Sequence, residues 1–600
     1  MSTARLLIGP VLRRVVGSRA TVWVETSGPA LVRVETTEGA AGEAATFSAF
    51  DHHYALVVVE GLEPGRAVPY QVLLDGEQVW PEPGTTFPPS VIRTRAAGDP
   101  GARLVFGSCR ETTQHATARK LPPDALDAYS RRLMASTGAG GAGGAGATAD
   151  AAGEWPDLLV LLGDQVYADQ TSPTVRKLLR RRRDRSAGAP ADQVVSFDEY
   201  TKLYLESWRD PEIRWLLSTV PSVMIFDDHE IIDDWNTSTP WRSATHAEPW
   251  WAERISSGLA SYWVYQHLGN LEPDELAADP VYAKVVAAED ATSVLREFGE
   301  RVDAEATGYD AALGRGGSPA EAAVPGRYQW SYSLDVGRTR LVVLDNRCSR
   351  VLDRRHRAML PPTEWAWFVD QVHGDYDHLV VGSSLPWLLP PGIHHLESWN
   401  ERLADSERPR VAAFAERLRR ALDLEHWAAF RRSFDALAQV FVRLGTGPQE
   451  QPGGGGPEQP GGGRPGARVG AGPAYPPPAS ISVLSGDVHH SYVARARFPG
   501  GSVTTPVHQL TCSPIHNQIP GPMRPLLRLG WWRGPTVAAR ALARTAGIRR
   551  PPVRWRKLDG PYFGNAVSTL RHEDRAAEVT IEGTAPDGSL RTVARRALTG

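Results

Sequence analysis

The sequence predicts an α/β fold on a mostly parallel sheet, with a small all-β domain ahead of it. Five short apolar runs show no alternation, which marks strands buried on both faces. Helical patterns lie between several of these runs. Before residue 98 the runs alternate and are separated by turn residues, which predicts antiparallel strands. The expected division is residues 1–97 for the all-β domain and 98–600 for the larger one.

The organising stretch is Asp157-Leu-Leu-Val-Leu-Leu-Gly-Asp164-Gln-Val-Tyr167-Ala-Asp169. Leu158 to Leu162 is a buried strand, and Gly163 lets the chain turn sharply. In open α/β sheets ligands bind beyond the carboxyl ends of strands. Asp164 at such an end suits a metal, although alone it could equally cap a helix. Four more runs end in the same way, at Ser-Cys109-Arg110, Asp227-Asp228-His229-Glu230, Asp345-Asn346-Arg347 and Gly-Asp487-Val-His489-His490. Five such ends meeting along one sheet edge would make a site.

In the N-terminal part, Ala20 to Glu25 and Leu31 to Glu35 alternate cleanly. The segment Leu62-Glu-Pro-Gly65…Tyr70 resembles fibronectin type III sandwiches, where a Tyr hydroxyl ties a corner back to the backbone. An immunoglobulin/fibronectin-like β-sandwich without chemistry of its own is expected. Within the larger part, flexible insertions are expected near 138–150 and 445–478, both poor in residues that pack. His394-His395 reads as a loop over the crevice, Val411 to Leu444 as one amphipathic helix, and residues 561–600 as antiparallel strands.

Six hundred residues exceed one core. Hydrophobic content of 42% and charged content of 22% are globular values, and a net charge of −3 excludes a general polyanion binder. Three Cys do not make a disulfide framework. No run is apolar enough to span a membrane. The start lacks a hydrophobic signal region, and Arg13-Arg14 resembles a twin-arginine signal only superficially, so a cytoplasmic location is the expectation. No specific nucleic-acid motif is present. From Ile519 to Leu558 there are nine Arg, one Lys and no acid. These either pair with acidic residues of the larger domain, for example those between Glu272 and Glu300, or attract an anionic polymer or lipid surface.

Cys109, Asp164 and Tyr167 form an unusual ligand set. A Tyr of ordinary pKa about 10 needs a strong Lewis acid to ionise at neutral pH, and thiolate with phenolate suits Fe(III). Asp227, Asp228 and Asp487, with the imidazole of His489, supply a second, oxygen-rich subsite that favours Ca, Mg or Mn over Zn. Asp164 could bridge two metals. His229 is then free to act as general acid. Arg110 and Arg347 could clamp phosphate through their planar forks, or they could lie in structural ion pairs.

Taken in order, these blocks resemble the PhoD-type alkaline phosphatases, members of the calcineurin-like metallophosphoesterases. The resemblance spans about 103–517. It implies an αββα sandwich that binds Fe(III) and Ca and hydrolyses phosphate mono- and diesters. The wider superfamily has Asp-x-His, Gly-Asn-His and Gly-His-x-His where this chain has Ser-Cys109, Asp-Asp228-His229 and Gly-Asp487-Val-His489. The expected activity is phosphoester hydrolysis by metal-bound hydroxide. The alternatives are a conventional binuclear Mn/Zn phosphodiesterase or nuclease, and an inactive phosphatase serving as a binding module. Many relatives are exported, which sets the location against the missing signal.

Overall fold

The computed structural model describes residues 4–117, 120–138, 155–183, 188–322, 326–446, 475–501 and 503–600. Most of both Gly-rich insertions, near 138–150 and 445–478, therefore lies outside the described residues.

Residues 6–93 form two antiparallel sheets. One orders Leu6–Val16, Arg19–Thr26, His52–Val59 and Phe47–Ala49; the other orders Ala41–Ala45, Leu31–Thr36, Ala67–Leu74 and Glu77–Trp80, with Val91–Arg93 also paired to Ala67–Leu74. Alternation explains their packing. Val22, Val24, Val32, Val34 and Val72 fill the space between the sheets. Trp23, Tyr54 and Leu56 point the other way and join the main core of the larger part.

That contact is polar as well as apolar. The Arg13 guanidinium donates to Gln266 O (2.6 Å) and Asn270 Oδ1 (3.0 Å). Arg14 donates to Asn270 O and pairs with Glu272, both at 2.6 Å. Tyr70 corrects an expectation: its hydroxyl does not return to its own sheet but donates to Ser218 O, 2.6 Å away on the helix Pro211–Thr219.

His52 adds a pH-dependent tie across the same boundary, 3.0 Å from Glu25 and 3.4 Å from Asp198. Burial opposes its charged form, but hydrogen bonds to Asp198 and Glu25 outweigh this and push its pKa up to about 8. A raised folded pKa means the tie is fully present below the unfolded value of about 6.5 and fades as pH rises through 8. Its worth is about 1–2 kcal/mol, discounted because Asp198 is half exposed. The melting temperature should fall across that window, and His52→Gln should flatten the fall. An undiminished slope in the variant would assign the dependence to other groups.

The larger part holds two mixed sheets. The six-stranded sheet orders Ser222–Ile225, Leu158–Leu162, Ala102–Gly107, Ala566–Glu573, Ala576–Thr584 and Leu590–Ala597. Its first three strands are parallel and its last three antiparallel. In the seven-stranded sheet, Thr339–Leu344, His378–Ser383, Ser480–Ser485 and Val507–Thr511 run parallel. The sheets pack face to face: a Cβ on Gly382 would lie 3.3 Å from Leu162 Cδ2. Leu341, Val343, Val380 and Leu484 turn into that interface, whereas Val342, Leu344, Val381 and Val483 turn to helices on the outer face. Both faces are buried, so the runs need no alternation.

Two further expectations are corrected. His394 and His395 lie buried in the helix Pro391–Ala404, not in a loop. The single helix expected from Val411 to Leu444 is two, Pro409–Leu422 and Arg431–Thr446, separated by a break at Asp423 in the left-handed region (φ 53).

Candidate metal centre

The five strand ends that carry the candidate ligands do meet, but they come from two sheets rather than along one sheet edge. The six-stranded sheet supplies Cys109, Asp164 and the Asp227–Glu230 run, and the seven-stranded sheet supplies Asn346, Arg347 and Asp487. The turns are tight. Gly163 has φ 101, and a Cβ there would lie 2.6 Å from Asp227 Cβ. Cys109, Asp164, Asp487 and His489 also take left-handed φ, between 47 and 63. Such backbone is sparsely populated outside Gly, Asn and Asp, and it clusters at functional sites.

Glu230 fixes the turns. Its carboxylate accepts the backbone N–H groups of Asp164 (3.0 Å), Gln165 (2.7 Å) and Asp227 (2.8 Å). Burial pushes its pKa up to about 7 against these bonds. The two strand ends are thus held in register by one side chain.

The donors form two groups that share Asp228. Asp164, Asp228 and His229 offer ligand atoms within 4.8 Å of one another, as do Asp227, Asp228 and Asp487. Asp164 Oδ1 and Asp227 Oδ2 are buried without a hydrogen-bond partner. Burial pushes Asp164 and Asp228 well above the usual carboxylate range and Asp227 up to about 6, with neighbouring carboxylates adding to each. Orphaned oxygens among mutually repelling carboxylates are what a bound cation would satisfy. This donor set fits hard metal ions.

Cys109 and His489 lie outside both groups. The Cys109 sulfur sits 3.1 Å from Ser108 Oγ and 3.3 Å from Ser513 Oγ. Burial, with Asp164 and Asp487, raises its pKa. Tyr167 is equally buried; its hydroxyl lies 3.3 Å from Asp164 Oδ2 and accepts from Asn517 Nδ2 at 2.9 Å. His489 is half-buried on the same loop as Asp487.

His229 is oriented by Asp169, whose two oxygens lie 2.9 and 3.0 Å from Nδ1. Its ring stacks on Tyr167 with centroids 4.4 Å apart. Burial opposes the charged ring, yet Asp169 and Asp228 outweigh it and raise the pKa well above the ordinary histidine value.

Both arginines sit in ion pairs. Arg110 pairs with Asp124 at 2.8 Å and donates to Ser207 Oγ at 2.7 Å. Arg347 is wholly buried, holding Asp227 and Glu425 closely, with Asp228 at 3.3 Å and Asp487 at 4.0 Å. Arg347 orders the carboxylates. Asp345, the first residue of its block, accepts the backbone N–H groups of Arg347, Cys348 and Ser349, all at 2.9 Å, and so caps a turn.

Sequence reasoning gave no role to Glu230, Asp169, Asn517, Glu425 or His426. The last two come from the helix break; His426 Nε2 lies 3.0 Å from Asp487 Oδ2. Although burial opposes ionisation of Asp487, that hydrogen bond and the charges of His426 and Arg347 bring its pKa down to about 2. Asp227-x-x-Glu230 was the visible signal for Glu230, since a carboxylate three residues on can reach back to a turn's N–H. Glu425 and His426 left no such signal, because the amphipathic run from Val411 to Leu444 reads on through them.

Residues 133–285 match the family model described as PhoD-like phosphatase. Residues 3–92 match a model described as a domain of unknown function, DUF7800. Comparison with curated proteins finds no relative. A solved structure described as "Structure of PhoD" is similar over 100% of this chain and 94% of that chain, with 12% identity and a TM-score of 0.54. At that identity the likeness is one of fold. The PhoD-like phosphatase match includes Asp164, Tyr167, Asp227, Asp228 and His229 and leaves Cys109, Asp487 and His489 outside it. The chain therefore has a mixed α/β fold like that of PhoD along its length, and its residues 133–285 match the model of the PhoD-like phosphatases.

Proposed function

We propose that this protein hydrolyses phosphate esters, mono- or diesters, at a metal centre held by Asp164, Asp227, Asp228 and Asp487, with Cys109, Tyr167 and His489 completing it. The observation that carries this reading is the pair of donor groups sharing Asp228, with buried oxygens of Asp164 and Asp227 left without partners. Metal ions bound there would lower the pKa of a water toward neutrality and withdraw charge from the phosphoryl oxygens. The finer architecture goes with this reading: the two mixed sheets are the inner layers of an αββα sandwich, the two N-terminal sheets an immunoglobulin/fibronectin-like domain, and the boundary falls near 97/98.

The chain's own residues have separable tasks. Glu230 and Arg347 hold the carboxylates at fixed positions. Asp169 anchors His229 Nδ1, which leaves Nε2 to carry a proton. The His229 side chain is 12% exposed, against 4% for Asp228, so it is the member of its group that faces outward. Against burial, the pairing with Asp169 raises its pKa and so favours the protonated ring that can give its proton to the departing alkoxide.

Elemental analysis of native protein, together with assays on a phosphate monoester and a diester, tests the reading. Stoichiometric metal and chelator-sensitive turnover are expected. A metal-free protein that turns over either ester at full rate would overturn it. We assign Fe(III) to the Cys109–Tyr167 side and Ca to the carboxylate side. Iron bound by the Tyr167 phenolate should colour the protein, and Tyr167→Phe should bleach or strongly shift the band. An active holoprotein containing Mn or Zn, colourless and iron-free, would instead identify a conventional binuclear centre.

A further inference from the structure

Past Asn517 the chain leaves the site and forms a helical hairpin, Met523–Leu529 and Arg533–Thr545. The hairpin is firmly mounted. Gly392 N donates to Gly530 O at 2.9 Å, and Trp531 packs edge-on against Tyr492 at 5.3 Å. Tyr492 in turn stacks on His490, beside Asp487 and His489.

Three features of this hairpin and of the chain up to Leu558 point to a partner, although Arg524 and Arg528 lie over the Phe563 ring and Lys557 over the Trp531 ring. First, its cations are unneutralised. Among the described residues, none of the nine Arg and one Lys between Ile519 and Leu558 forms an ion pair with a carboxylate. The alternative of pairing with acidic residues of the larger domain is not what the described residues show; in the stretch given as an example, Glu272 holds Arg14 and Asp274 holds Arg19. Second, five of the ten exposed large apolar side chains among the described residues fall here, namely Leu526, Leu529, Trp532, Val537 and Leu542. Trp532 is 62% and Val537 68% exposed. Third, a groove of about 660 Å³ beside them is lined by Arg533, Arg540, Arg550, Arg554, Arg556 and Lys557, with no carboxylate in its wall.

We propose that this hairpin and its basic groove dock the protein on an anionic phospholipid surface. Charge complementarity fixes the sign of the partner, since uncompensated guanidinium groups favour phosphate. The apolar side chains choose among anions: a soluble polyanion would leave Trp532 and Val537 in water, whereas a bilayer accepts them below its headgroups. No helix among the described residues is long and apolar enough to cross a membrane, so the contact is peripheral. Docking would set the site's last loop, Asp487 to His490, beside the lipid surface.

The test is sedimentation of the full chain with vesicles of phosphatidylcholine alone or mixed with phosphatidylglycerol. It needs no turnover, so its failure is distinct from failure of the hydrolase reading. Binding to the mixed vesicles, weakened by salt, is expected. Changing Arg533, Arg544 and Arg550 to Ser should lower partitioning on the order of 100-fold, at roughly one favourable increment per cation. Trp532→Ser with Val537→Ser should also lower it, at unchanged net charge, and Val537→Glu should do so alone. These positions are exposed, so melting temperature and near-ultraviolet circular dichroism should match wild type. No binding of wild type to mixed vesicles would overturn the proposal. So would apolar variants that bind vesicles as wild type does while immobilised heparin retains both equally, which would identify a soluble-polyanion site.

Discussion

Replacing Arg347 by Met is expected to destabilise the fold by about 3–5 kcal/mol, because it leaves buried carboxylates without their counter-charge. Asp227 and Glu425 pair closely with this guanidinium, and Asp228 and Asp487 lie within 4.0 Å of it. Arg350 shares only Glu425, at 3.0 Å, and cannot replace it. Metal affinity should fall with stability, since three of these four carboxylates are the proposed ligands. Denaturant unfolding and metal titration together decide the role. Arg347→Lys should recover part of the stability, because it restores charge without the fork that reaches several partners. If Arg347 instead clamped substrate phosphate, Arg347→Met would keep its stability and metal and show only a raised KM.

Replacing His229 by Ala should lower kcat on an alkyl phosphate ester by about 10²–10⁴-fold, the usual range for a positioned general acid. An aryl ester with an acidic leaving group needs no proton and should lose far less. Asp169→Asn should reproduce part of this effect without touching substrate, because Asp169 holds Nδ1 and raises the ring's pKa. In that variant the alkaline limb of the alkyl-ester profile should move to lower pH, as a group whose pKa has dropped loses its proton sooner. Asp228 and Asp164 could also share a cation with His229. Equal losses on both esters, accompanied by loss of metal from His229→Ala, would make His229 a ligand rather than an acid.

The sequence by itself determined where the strands that carry the candidate ligands end. An apolar run, a Gly or small residue and then Asp or Cys is a local pattern, and Leu158–Leu162 with Gly163 and Asp164 is its clearest instance. It also determined that these strands are buried on both faces, because missing alternation reports burial whatever lies across the interface. Only the tertiary structure decided that the ends come from two sheets, since no local pattern says which parallel strands share a ladder. Arg347 shows why its role was hidden: its partners lie 120 residues before it in Asp227 and 78 after it in Glu425, and either an ion pair or a phosphate suits the same fork. Glu425 and His426 stayed hidden because amphipathic spacing runs on through the break, and the left-handed turn at Asp423 leaves no periodicity signal. The same holds for Arg13, Arg14 and Tyr70, which read as parts of a separate small domain. Their partners, Gln266, Asn270 and Ser218, are more than 140 residues away, and a hydrogen bond across such a separation is chosen by packing, not by neighbours in the chain.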